Sequence, residues 1–524
     1  MKFNSSCDCK RGADCREMQT SFRVSALDRQ VSKMVSKVSK VVMARLLVII
    51  VSCSIMVLPT LSGAQDAAPK ATLNNQAFDD AFSLPGTTVS LWSSQAKEFG
   101  TADRNIGAFN HPGRLVKLAP SSSQQPPTDA ECRAALGVPC YSPQEIWAAY
   151  ELGNVIQAGY TGVGQTIVII DSYGSPTIVS DLNTFDMAYG LPDPPSFQVI
   201  APLGTVAFNP NNPVQVGWAG ESTLDVEWAH AMAPGANIVL LTSPAAETQG
   251  VPGLPDFLKL EQYALDHNLG KIISQSWGTP ENDLFASQEG IDVLTKFESF
   301  FASAIKANVT LLAATGDTGS TGYELDGVNL YPMRVVNYPA SSPLVTAVGG
   351  TSLYATTEGQ YLNETVWNSL FGEGGGGVSQ YFFEPSYQQL TLPQSDQLLL
   401  NGFRGLPDLS YNADCNTPIL IYQSYISPSG FYTACGTSQG PPQWAGIIAD
   451  ANQLAGFPLG FLNEKLYQLG GSGRLSDALH DVILSDNSVG FTVPGYFATP
   501  GWDPASGWGT PRAGKLLPLL VKGR

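Results

Sequence analysis

The chain has 524 residues, of which 43% are hydrophobic and only 14% charged, so it can bury a large core and lacks the composition of a disordered protein. Its formal net charge of −17 argues against nucleic acid or an anionic membrane surface as partner, because both require a cationic face.

Lys and Arg concentrate before residue 46. The stretch from Met43 to Ala64 reads as an export signal: Arg45 is the basic flank, Leu46 to Leu61 the apolar run, and Ser62-Gly63-Ala64 a small-residue cleavage site. Ser52, Cys53, Ser54 and Pro59 interrupt the run too soon for a membrane span. Residues 1–64 are therefore expected to form a leader and signal peptide, with Met34 or Met43 the more ordinary start, and the mature chain to be secreted as a monomer without a stable membrane span.

Residues 65–140 are rich in Ala, Ser, Pro, Gln and Asn and show no sustained period, the pattern of a linker or short prosegment. Of 8 cysteines, Cys132, Cys140, Cys415 and Cys435 lie beyond the leader. Four cysteines in an exported chain suggest two disulfides, with three connectivities open; loop length favours Cys132 with Cys140 and Cys415 with Cys435.

From residue 141 to 524 the chain reads as one domain. Gln165–Asp171, Ala236–Ser243, Lys271–Ser276, Val309–Thr315 and Leu344–Gly349 are short apolar runs suited to a sheet covered on both faces. Helical segments, Glu221–Met232, Phe257–His267 and Ile291–Ala307, lie between several of them. The alternation predicts an α/β fold, a doubly wound and mainly parallel sheet with helices on both faces, whose ligands sit beyond the carboxyl ends of the strands. Asp171, Ser276-Trp277 and Gly316-Asp317 fall at such ends.

Gly436-Thr437-Ser438-Gln439-Gly440-Pro441-Pro442 leads directly into a small, apolar helical stretch, Gln443–Ala449. A serine so placed has backbone N–H groups and a helix dipole that favour a developing negative charge, although a plain helix N-cap also explains Ser438 taken alone. A serine nucleophile needs a base. The four histidines, His111, His230, His267 and His480, have no HGTH-like context. Glu221 and Asp225 stand four apart and share a helical face with Leu224, Trp228 and Met232, while Glu227 and His230 point away. Two like carboxyls buried together share a proton, the arrangement that acid catalysis exploits. Asp317, in Ala314-Thr315-Gly316-Asp317-Thr318-Gly319, follows an apolar strand where it can donate to an oxyanion if protonated; an ordinary Asp-Thr-Gly turn is the alternative.

In order, Gly220-Glu221 to Leu224-Asp225, Ser274-Gln275-Ser276-Trp277-Gly278, Gly316-Asp317-Thr318-Gly319, Asn337-Tyr338-Pro339-Ala340, Pro407-Asp408-Leu409-Ser410-Tyr411 and Gly436-Thr437-Ser438 resemble the landmarks of the sedolisin, or serine-carboxyl peptidase, family. The resemblance implies a subtilisin-like fold and acid-acting endopeptidase activity on protein or peptide substrates. Ser438 is then the nucleophile, Glu221 the base, Asp225 its support, Asp317 the oxyanion donor and Trp277 a wall of the substrate cleft. A tripeptidyl-peptidase of the same family, or an inactive binding module that keeps the fold, are the alternatives. Asp171 stands where the family often has Glu, and residues 65–140 are short for a folded prodomain. The resemblance also implies a Ca²⁺ site made by Asp481, the carbonyls of Val482, Thr499 and Gly501, and Asp503, with Thr499 in place of a usual Gly.

Overall fold

A computed structural model describes residues 125–522 together with the backbone of His111 and Pro112; the expected leader and signal peptide lie outside the described residues. The first described helix, α1 (Asp129–Leu136), falls inside the stretch read as linker. Thr128 caps it: its hydroxyl accepts from the Glu131 N–H while the Glu131 carboxyl accepts from the Thr128 N–H. A disulfide joins Cys132 to Cys140, and both cysteines are buried in the main core. Within the stretch read as linker or short prosegment, composition thus hid a capping box and a buried staple.

The chain then alternates strands and helices. In order come β1 (Thr166–Ser172), α2 (Ile178–Tyr189), β2 (Phe197–Ile200), α3 (Pro213–Met232), β3 (Asn237–Ser243), α4 (Leu254–Asp266), β4 (Ile272–Gln275), α5 (Gln288–Lys306) and β5 (Thr310–Ala314). After these come β6 (Thr346–Ala355), β7 (Tyr361–Val366) and β8 (Leu409–Asn412). The sheet runs β7-β6-β5-β4-β1-β3-β2, with β8 also paired to β6. Every pairing is parallel except that of β7 with β6.

Alternate residues of each strand enter different cores. Ile167 and Ile169 of β1, Ile238 and Leu240 of β3 and Ile272 of β4 pack with α3 on one face. Val168, Ile170, Val239, Leu241 and Ile273 pack with Phe257 of α4 and Phe297 of α5 on the other. A sheet buried on both faces has no polar side, and so reads as continuous apolar runs.

Three features go beyond the expectation. α3 starts eight residues before the expected Glu221, because the Asn212 side chain accepts from the N–H groups of Val214 and Gln215 and Pro213 fits the first turn. β9 (Ile419–Gln423) and β10 (Gly430–Cys435) form a hairpin not read from sequence, whose end is tied to the loop before β9 by the disulfide Cys415–Cys435. The helix after β10 is α6 (Gly440–Ala455), longer at both ends than the stretch Gln443–Ala449, and Pro441 and Pro442 occupy its first turn, where no N–H is missed. α7 (Ala513–Val521) closes the described chain.

Candidate active site

Crossing from β3 over β1 to β4 creates a switch point, and the carboxyl ends of β1, β4 and β5 open toward it. Ser438 reaches this place from above. Strand β10 ends at Cys435, and Gly436 follows with φ +114, a conformation that L side chains rarely adopt. Thr437–Gln439 then make one 3₁₀ turn into α6. Ser438 therefore lies at the helix entrance, fully buried.

The carboxyls come from α3, whose every residue from Trp218 to Met232 is buried. Glu227 and His230 do face away from Glu221, but into protein: the Tyr422 N–H donates to Glu227 at 3.0 Å, and His230 Nε2 lies 2.8 Å from the Pro192 carbonyl. α3 packs closely on α6. A side-chain carbon at Gly446 would stand 2.4 Å from Cβ of Met232, so only glycine admits this approach.

Burial raises Glu221 well above the ordinary carboxyl range, and the charges of Asp225 and Asp171 push it the same way. The Ser438 hydroxyl works in the opposite sense, favouring ionised Glu221, although neither Glu221 oxygen nor Ser438 Oγ makes a full hydrogen bond in this rotamer. Asp225 is likewise raised by burial and by Asp171. The Ser276 hydroxyl sits between Asp225 Oδ1, at 2.9 Å, and the Ser438 carbonyl, at 3.3 Å, and so links the carboxyl system to the nucleophile turn. Asp171, at the end of β1, is pushed up to about 7 by burial. It belongs to one coupled set with Glu221 and Asp225, despite being one methylene shorter than Glu.

Asp317 approaches from β5. Its Oδ1 accepts from the Thr437 N–H at 2.7 Å and from the Thr437 hydroxyl at 2.8 Å, and the same hydroxyl accepts from the Gly316 N–H at 3.0 Å. Burial pushes its carboxyl up to about 7, so at acid pH the group is neutral and carries a proton to donate. Ser438, Glu221, Asp225 and Asp317 are thus brought together by coupled charges and shared contacts with Thr437 and Ser276. Sequence reasoning missed the parts of Thr437 and Ser276; both lie inside quoted motifs, but their partners are far away in the chain.

Trp277 is fully buried, its ring edge-on to Phe257 at 4.8 Å and tilted against Phe297 at 6.1 Å. It anchors the end of β4 that carries Ser276. His267 caps its own helix against the Tyr263 carbonyl and His480 stacks on Tyr361 at 3.6 Å, while the backbone of His111 pairs with Cys435 of β10, three residues before Ser438.

The residues expected to hold Ca²⁺ gather in the C-terminal loops. The Gly501 N–H donates to Asp481 at 3.0 Å, and the N–H groups of Thr499, Ala505 and Ser506 donate to Asp503. The Ser506 hydroxyl lies 3.1 Å from both Asp503 oxygens and 3.4 Å from the Val482 carbonyl. Burial pushes Asp503 up to about 7, a cost that an adjacent cation would offset. Two carboxylates and a carbonyl are a hard oxygen set that fits Ca²⁺, while no cluster of three or more His, Cys, Asp or Glu occurs among the described residues.

A buried serine at a helix entrance beside buried carboxyls, on a doubly wound sheet, is the arrangement of a subtilisin-like α/β fold with a candidate serine-carboxyl site. No protein-family model matches the chain. It is 35% identical over 399 residues to kumamolisin of Bacillus sp. (strain MN-32), covering 75% of this chain and 66% of that protein. It is 33% identical over 331 residues to tripeptidyl-peptidase 1 of Canis lupus familiaris, covering 58% of this chain and 53% of that protein. The solved structure of Pseudomonas sedolisin, a serine-carboxyl proteinase complexed with pseudo-iodotyrostatin, superposes with a TM-score of 0.61 at 30% identity, covering 73% of this chain and 98% of that one. The chain belongs to the sedolisin family of serine-carboxyl peptidases. It spans about two thirds or less of the length of these curated relatives.

Proposed function

We propose that this chain is a secreted endopeptidase that cleaves protein substrates at acid pH. The observation that carries the reading is the meeting of Ser438 with the coupled carboxyls of Glu221, Asp225 and Asp171 on one side and the Thr437-held carboxyl of Asp317 on the other. Ser438 Oγ attacks the peptide carbonyl carbon and its proton passes to ionised Glu221, while Asp225 and Asp171 hold the remaining shared protons. Asp317 donates to the oxyanion that forms. As the C–N bond breaks, Glu221 returns its proton to the leaving amine, and water then repeats the sequence on the acyl-enzyme with release of Ser438. Ca²⁺, held by Asp481, Asp503 and the carbonyls of Val482, Thr499 and Gly501, supplies charge neutralisation in the C-terminal loops. Export follows from the segment Met43 to Ala64.

The test is digestion of an unstructured protein at about pH 4, where coupled carboxyls work as acids and bases, with the fragments identified. Ser438→Ala and Glu221→Gln should each abolish cleavage while native-like spectra persist. If either folded variant digests at the parent rate, the assignment fails. Fragments that are all tripeptides from free N-termini would replace the endopeptidase reading with the exopeptidase one.

A further inference from the structure

Three residues before Ser438 the chain is bonded covalently to a loop 20 positions earlier. Cys435, the last residue of β10, joins Cys415 in the loop between β8 and β9, with Cα atoms 4.9 Å apart. Gly436 comes next, with φ +114 and no side chain, so the backbone has its widest choice of conformations where the nucleophile turn begins. Beyond Gly436 the turn is held by Asp317, which accepts from the N–H and hydroxyl of Thr437. On the other side, the Gly436 N–H donates to the Ala413 carbonyl at 2.7 Å and the disulfide fixes the residue before it. The loop that receives the bridge is itself anchored. The N–H groups of Ala413 and Asp414 donate to the Thr351 carbonyl of β6 at 2.8 and 3.2 Å. The buried Asp414 carboxyl accepts from the Ser352 hydroxyl at 2.8 Å through Oδ2, and from the Ser369 hydroxyl and the Asn416 N–H, each at 2.9 Å, through Oδ1. Ser369 belongs to the short hairpin Asn368–Glu373, whose Glu373 N–H donates to the Asp317 carbonyl at 3.2 Å.

We propose that Cys415 and Cys435 are positioning residues for the nucleophile: their disulfide, seated on Asp414, sets the place of Ser438 relative to Asp317. The inference rests on the reading of Ser438 as nucleophile and Asp317 as oxyanion donor. A turn that starts at a glycine needs support on both sides, and here Thr437 supplies one and the bridge the other. The connections close into a loop, from Ser438 back to Cys435, across the bridge to Asp414, through Ser369 to the hairpin, and from Glu373 to the turn that carries Asp317. Packing gives the same frame. A side-chain carbon at Gly350 of β6 would stand 2.9 Å from Cβ of Ala413 and 3.0 Å from both Thr437 Cγ2 and Trp367 Cε3, so the anchored loop, the nucleophile turn and the base of the hairpin meet at one residue. The other disulfide, Cys132–Cys140, is placed differently: it reaches the β9–β10 pair through Tyr141, which bridges to Ile419 of β9. It should therefore steady the fold without addressing the serine.

The experiment measures kcat and KM of the full chain on an unstructured peptide, well below the lowest melting temperature of the set. The set is the parent, Cys415→Ala with Cys435→Ala, Cys132→Ala with Cys140→Ala, Asp414→Asn, and Asp414→Asn combined with the first pair. Loss of either bridge should lower the melting temperature. Loss of Cys415–Cys435 should also lower kcat by about 10- to 10²-fold with KM within about twofold of the parent, the scale of a displaced reacting group, whereas loss of Cys132–Cys140 should leave kcat within about twofold. Asp414→Asn, which keeps both bridges and removes one acceptor oxygen, should lower kcat in the same sense and add little once Cys415–Cys435 is gone, because the two act along one path. A parental kcat in the folded chain without Cys415–Cys435, an equal kcat loss from removing either bridge, or additive losses with Asp414→Asn would overturn the inference. Should the chain without that bridge fail to fold, Asp414→Asn carries the test, and a parental kcat there overturns it. Ser438→Ala separates the two readings: cleavage at the parent rate in that variant sinks the nucleophile itself, while an inactive Ser438→Ala beside a parental kcat in the unbridged chain sinks the positioning role alone.

Discussion

Thr437 decides how Asp317 can work. Its N–H and hydroxyl both donate to Oδ1, so the proton of the neutral acid belongs on Oδ2. Burial with a folded-state pKa near 7 makes that donor present below neutrality and lost as pH rises through about 7. Asp317→Ala should therefore lower kcat by about 10² to 10³ at acid pH, the scale for loss of one oxyanion donor. Asp317→Asn, a donor at every pH, should lose less and carry its residual activity further toward neutrality. Near-parent kcat in Asp317→Ala at the pH optimum would end the oxyanion assignment. At this scale the residue types were legible, because Ser438, Glu221, Asp225 and Asp317 each sit in a short motif. Their supports were not, since Thr437 meets Asp317 across 120 positions and Ser276 meets Asp225 across 51. The packing of Trp277 was equally hidden, since Phe257 and Phe297, which close around it, come from distant helices.

Among the elements, α3 shows why periodicity was only a partial guide. The i,i+4 spacing placed Glu221 and Asp225 on one face, but the helix is buried all round, so no polar face marks its start or its neighbours. Its close contact with α6 depends on Gly446, which nothing local in the sequence distinguishes from the other 51 glycines of the chain's 52. The C-terminal loops are a different kind of element, long and short of regular structure, held by Asp481 and Asp503 through backbone N–H groups. Ca²⁺ bound there should stabilise the fold by mass action, because the unfolded chain cannot assemble the oxygen set. Chelation should lower the melting temperature of the parent by several degrees and leave that of Asp503→Asn, already lowered, nearly unchanged. A parent whose melting temperature ignores chelator would remove the cation from this site.

The molecule as a whole buries carboxyls in a way that no motif reveals. The sheet and the two disulfides were readable from apolar runs and loop lengths, yet the distribution of carboxyls was not, since a single Glu in a helix reads as surface. Glu247, Glu261 and Asp450 are fully buried, and their carboxyl oxygens meet no hydrogen-bond donor. Burial raises all three well above the ordinary range, and Glu227 with them, while Glu281, Glu298 and Glu364 are pushed up to about 7. In the unfolded chain the same groups ionise near their usual values, about 4. Between about pH 4 and 7 the folded state therefore binds more protons than the unfolded one, so stability is greatest below that window and falls as pH rises through it. The net charge of −17 at neutral pH adds repulsion in the same direction. The Ser438→Ala variant, free of self-digestion, should melt at least about 5 °C lower at pH 8 than at pH 4, the scale of one or two such groups in a domain this size. Glu261→Gln should flatten the slope, because it removes one buried proton site while keeping the shape of the side chain. A melting temperature that holds level or climbs from pH 4 to pH 8 would mean that these carboxyls find compensation in the folded state, and that the acid range is set by the active site alone.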